Sequence, residues 1–195
     1  MSEYLLQVVP TRRPLVFWLI SAVVVSFLVG LIVVAPLAEA SGHLDVARGI
    51  YQAFGVFCHQ RPDRSYFIDG HKLAVCTRCT GLYFGFAFTV LLYPLLRSLR
   101  NTNTPPRSLL FLSAVPLLID FSLTFFGVWE NTHTSRLLTG ALLGSVTVFY
   151  VMPGILELSL RSFRTTARPA VTFTLASPES IASAPSDYSA PERRI

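Results

Sequence analysis

Charge is scarce in this chain. Only 14% of its 195 residues are Asp, Glu, Lys or Arg, against roughly 25% in an ordinary soluble domain. That deficit argues against a water-exposed globule. Nucleotide signatures are missing as well. No Walker loop, GxGxxG turn or GxSxG elbow occurs, so no nucleotide site is indicated. Cysteine is sparse: there are three, and all lie between positions 58 and 79. The short 129–136 segment has none.

Long apolar runs fill the space that charge leaves. Hydrophobic residues make up 52% of the chain. A bilayer-spanning helix needs about 20 mostly apolar residues, and four stretches qualify: 14–38, 79–96, 108–128 and 137–158. The expected fold is all-α, a four-transmembrane-helix bundle over residues 14–160. A cytoplasmic segment 1–13 precedes it, and an Ala/Ser/Pro-rich tail, 161–195, follows as a disordered cytoplasmic segment. The formal charge of +5 does not point to nucleic acid, because the arginines sit at helix ends. Arg12 and Arg13, then Arg97, Arg100 and Arg107, then Arg161, Arg164 and Arg168 fall on one side after four crossings. The positive-inside rule makes that side the cytoplasm. Both termini are therefore expected inside a cell (inner) membrane, with the 39–78 loop outside. Ala38-Glu39-Ala40 resembles a signal-peptidase site, but the preceding apolar run exceeds the 7–15 residues of a signal core. An uncleaved anchor is expected.

The outer loop carries structure of its own. Val46, Ile50, Phe54 and Phe57 recur at helical spacing, which predicts a short amphipathic helix over 44–57. Asp69-Gly70 between two apolar-leaning runs predicts a small β-hairpin over 65–75, because both central turn residues need positive φ. The hairpin would bring Cys58 and His59 back toward Cys76 and Cys79. Helices 2 and 4 both open with T-G-x-x-x-G, at Thr80–Gly85 and Thr139–Gly144. Such glycines permit close parallel packing in lipid.

Cys76-Thr77-Arg78-Cys79 sits at a helix start, where free N–H groups, the helix dipole and Arg78 favour thiolate. Thiolates bind metal or attack disulfides. Cys58, His59, Cys76 and Cys79 make a Cys3His zinc set, with His71 an alternative to His59. Iron or copper(I) would also suit the sulfurs. The redox alternative is a thiol–disulfide protein using the CxxC pair. Its layout resembles quinone-linked membrane oxidases, whose second cysteine pair has no counterpart in 129–136. Asp120 lies inside the third span, where an acid costs about 2.5–3.5 kcal/mol and needs a partner. Arg136 is the first candidate partner, and Thr139 and Tyr83 are hydrogen-bonding alternatives. These four form a candidate catalytic pocket. A third alternative is a transporter or assembly factor in which Asp120 carries protons. Glu130, His133 and Arg136 would share the outer vestibule.

The pattern Cys58-His59-Gln60, Arg64-Ser65, Gly70, Cys76-x-Arg78-Cys79-Thr80-Gly81-x-Tyr83-x-Gly85, continued by Asp120 and Arg136-x-x-Thr139-Gly140, resembles a family of small, mostly bacterial membrane proteins. That family is catalogued as a domain of unknown function. The resemblance covers roughly residues 45–155 and implies a multi-pass envelope protein whose identifying residues are this outer cluster. It leaves open whether the protein is an enzyme. The expected partners are the bilayer and a lipid-borne or quinone substrate.

Overall fold

The computed structural model describes residues 12–161. The proposed tail apart from its first residue, and all but the last two residues of the proposed N-terminal segment, lie outside them. Five helices and one hairpin follow in order: α1 (Arg13–Ala40), α2 (Leu44–Gly55), a single 3-10 turn (Pro62–Arg64), β1 (Phe67–Ile68), β2 (His71–Lys72), α3 (Thr77–Leu96), α4 (Arg107–Phe125) and α5 (His133–Arg161). Helices α1, α3, α4 and α5 are each long and apolar enough to cross a membrane. The four-span helical fold with a loop helix and a small hairpin is therefore the observed one.

The helix ends follow from local chemistry. Gly42 (φ 81) and Gly127 (φ 68) both adopt left-handed backbone. After α1, His43 N–H donates to Ala38 O and Gly42 N–H to Glu39 O. After α4, Val128 N–H donates to Leu123 O and Gly127 N–H to Thr124 O. Each pair is a Schellman closure, which glycine permits because it has no Cβ. Helix α4 thus stops at Phe125, three residues short of the apolar run. Helix α5 starts four residues before its run because the Thr132 hydroxyl accepts from the Ser135 amide at 3.1 Å, an N-cap contact. In the hairpin, Asp69 (φ 50) and Gly70 (φ 80) form the turn, and Ile68 pairs with His71. Helix α2 buries Ala47 and Phe54 and leaves Val46 exposed, as is Phe57, two residues beyond its end. Its packed face is thus rotated from the one expected.

Helices α3 and α5 form the tightest pair. A Cβ at Gly81 or Gly85 would collide with the backbone of Leu137 or Ala141, and one at Gly140 or Gly144 with that of Arg78 or Leu82. The contacts advance in the same direction along both chains, so the helices run parallel. Helix α1 packs on α2, α3 and α5, and α4 packs mainly on α5.

Every span carries an internal proline: Pro36, Pro94, Pro116 and Pro153. Proline has no N–H, so the carbonyl four residues earlier loses its helical donor. Two of those carbonyls find tertiary donors. The Ala74 amide reaches Ile32 O at 3.4 Å, and Trp18 Nε1 reaches Val90 O at 2.8 Å. The first bond fastens the 41–76 connection to α1. The second fastens α1 to α3.

Candidate functional site

Chain geometry delivers three sulfurs to one point. Cys58 lies just beyond α2, Cys76 is the N-cap of α3 and Cys79 is in its first turn. The segment Leu73–Val75 is buried against Ile32, Ala35 and Phe54, which holds the loop over the bundle. The three Sγ atoms lie within 4.8 Å of one another, and all three cysteines are free. A tetrahedral zinc with Zn–S of about 2.3 Å would set its sulfurs roughly 3.8 Å apart, so the triad fits with sub-ångström adjustments. The Cys76 amide donates to Cys58 Sγ at 3.2 Å. Cys58 is held well below its usual thiol range, chiefly by hydrogen bonds from the Cys76 and Cys79 thiols. Burial opposes this, and the Cys76 and Gln60 backbones assist.

The histidines do not complete the triad. His59 is exposed and lines the neighbouring cavity. His71 instead places Nδ1 3.4 Å from Glu39 Oε2. His133 sits with Nδ1 3.1 Å from the Thr77 hydroxyl, which itself donates to Arg64 O at 2.6 Å. The His133 ring also packs 5.5 Å from that of Tyr66.

Asp120 does not pair with Arg136. It pairs with Arg78, whose Nε donates to Oδ2 at 3.1 Å and whose second nitrogen contacts the same oxygen. The Ser135 hydroxyl donates to Oδ1 at 2.9 Å, and the Asn131 side-chain amide bonds the Asp120 carbonyl. Because α4 ends early, Asp120 lies five residues, about 7.5 Å, from the helix end rather than deep in the span. The knot joins α3, α4 and α5 at the thiol end. Thr139 turns back to Ser135 O and Arg136 O of its own helix. Tyr83 stacks edge-on against Phe54 with centroids 5.8 Å apart. Glu130 is exposed.

Beside the sulfurs lies a cavity of about 320 Å³. It is lined by Cys58, Cys76, Cys79, His59 and Gln60, by the four arginines Arg61, Arg64, Arg78 and Arg136, and by Phe57 and Phe121. Of the four residues expected in a catalytic pocket, only Arg136 lines this cavity; Asp120 reaches it through Arg78. Arg64 entered the expected cluster only through the family pattern, and Arg61 had no assigned role; the Arg61-Pro-Asp-Arg64 stretch, with its 3-10 turn, brings both to this lining.

The comparisons extend this picture. No solved structure matches the chain. An uncharacterized protein of Methanocaldococcus jannaschii is 34% identical over 115 residues, covering 59% of this chain and 74% of the relative. One from Methanothermobacter thermautotrophicus is 37% identical over 87 residues, covering 45% and 77%. Both relatives are archaeal. The family described as predicted membrane protein (DUF2085) matches residues 58–150, an interval that contains the three cysteines, Asp120 and Arg136, and the chain belongs to that family.

Proposed function

We propose that this is a membrane metalloprotein in which Cys58, Cys76 and Cys79 hold one soft metal ion, zinc in the first instance, beside a polar cavity. The supporting observation is the convergence of three sulfurs from two separate segments within 4.8 Å. Three protein ligands leave a fourth tetrahedral position, the arrangement of catalytic rather than closed structural zinc. His59, which lines the same cavity, or a substrate group would take that position. Bound there, the metal would polarise a substrate or activate water. The arginine pattern supports placing this end outside the cytoplasm, with both termini within. Because Asp120 is engaged by Arg78 and Ser135, it fits a structural ion pair better than a proton carrier.

Elemental analysis of the detergent-purified full chain should find about one zinc per chain, and Cys58→Ser and Cys79→Ser should each abolish it. Absence of metal together with an oxidant-dependent thiol count would overturn the metal site in favour of thiol–disulfide chemistry. A membrane-impermeant maleimide applied to intact cells after metal chelation should label the cysteines; labelling only after lysis would reverse the orientation.

A further inference from the structure

Arg136 lies in the first turn of α5, 7% exposed, against the cavity beside the thiols. Its Nε has no hydrogen-bond partner among the described residues. A buried guanidinium nitrogen without an acceptor is costly, and structures normally satisfy such a group. Three further guanidiniums line the same space. Arg78 is neutralised by Asp120. Arg61 and Arg64 share one exposed carboxylate, that of Asp63, at 3.2 and 3.4 Å. Against four arginines on one cavity stand only the carboxylates of Asp120 and Asp63, so positive groups outnumber negative ones. The arrangement calls for an acceptor-rich anion arriving from outside the protein, and guanidinium forks match phosphate oxygens.

Two apolar rings share this lining. Phe57 is 78% exposed, and Phe121, on the apolar helix α4, is 48% exposed, and both line the cavity. Arginines and exposed aromatics on one cavity suit an amphiphile with a charged head and an apolar tail. We propose that this cavity binds the phosphate group of an anionic lipid, with Arg136 at its floor, Arg64 and Arg61 at its mouth, and the acyl chains leaving past Phe121 into the bilayer. The site stands on the arginines and does not require a metal in the adjacent triad.

The test is native mass spectrometry of the full-length chain in nonionic detergent, titrated with phosphatidic acid and with diacylglycerol of the same chains. Phosphatidic acid should bind at least about tenfold tighter. Arg136→Gln should weaken it by roughly tenfold or more, the worth of one charge-assisted contact, without changing diacylglycerol binding. Should Arg136→Gln misfold, the surface double variant Arg61→Gln/Arg64→Gln keeps the question open to measurement and should weaken phosphatidic acid severalfold. Equal binding of the two lipids, or unchanged phosphatidic acid binding in every folded arginine variant, would overturn the site. Displacement by inorganic phosphate at comparable concentration would overturn the lipid as the source while keeping the phosphate chemistry. Zinc content measured on the same samples, including Cys58→Ser, separates the two proposals. Arginine-dependent lipid binding in a zinc-free protein would remove only the metal.

Discussion

The two ends of this bundle are built from different materials. At the thiol end, the buried cluster includes Cys58, Leu73, Ala74 and Val75 from the loop alongside Ile32 and Ala35 of α1. An ion pair, several side-chain hydrogen bonds and a cavity sit next to it. At the opposite end the cluster is Ala22, Val90, Tyr93, Val148, Met152 and Leu156, drawn wholly from the spanning helices. In lipid, apolar surface gains little from leaving its surroundings, so that second cluster is held by close packing rather than by the hydrophobic effect. The contrast teaches a division of labour. One end supplies shape complementarity, and the other supplies directional bonds that fix reactive groups.

Substitutions can sharpen that contrast. The largest effect is expected at the α3–α5 glycines, where two backbones touch. Gly140→Val would drive a side chain into the Arg78 carbonyl, and helix backbone cannot yield cheaply. A loss above about 3 kcal/mol is expected, read as failure to purify monodisperse protein in detergent. Next comes Asp120→Asn, which leaves the half-buried Arg78 without its counter-charge at a cost of roughly 2 kcal/mol, below that of breaking a fully buried pair. Thermal unfolding should fall, and thiol alkylation at the other side of Arg78 should quicken. If alkylation stays slow, the ion pair does not brace the cysteine end.

Met152→Ala empties packed volume at the far end. A water-soluble core would lose 2–5 kcal/mol; here the transfer part is largely absent, so about 1–2 kcal/mol is expected, with thiol reactivity unchanged. A rise in reactivity would show that the ends are coupled. The smallest effect belongs to Tyr51, whose hydroxyl lies 2.5 Å from Lys72 O and 3.0 Å from Glu39 Oε2. Burial, then the Glu39 carboxylate, raises its pKa above the usual tyrosine value. The neutral hydroxyl therefore stabilises the fold fully below pH ~10, and this contribution is lost as the pH climbs beyond that value, where the unfolded chain ionises first. Tyr51→Phe should cost about 1 kcal/mol at neutral pH and flatten alkaline unfolding curves.

Much of this architecture was readable from local spacing. Apolar runs of bilayer length, the Asp69-Gly70 turn and the paired T-G-x-x-x-G starts each encode a short-range geometry, and all three appear. The cysteine convergence was also legible, because a tight hairpin must return the chain. The Arg78–Asp120 pairing was not. It links residues 42 positions apart, and two arginines stood at the same end. Which one reaches Asp120 depends on where α4 stops, and Gly127 decides that. Likewise, adjacency to Cys58 does not settle where the His59 ring lies; it lines the cavity beside the sulfurs, outside the cluster of three. The packed face of α2 shifted for a related reason. Ala47 offers little hydrophobicity but allows close contact, and periodicity arguments weigh large residues over small ones.

The bond from Ala74 to the Ile32 carbonyl bears on how the protein is assembled. Pro36 guarantees that α1, freshly placed among acyl chains, holds one backbone oxygen that its own helix cannot satisfy. Completion waits for a later stretch of the chain to arrive with its amide. The first span thus meets its missing donor only after the 39–78 loop has been synthesised and has closed over it.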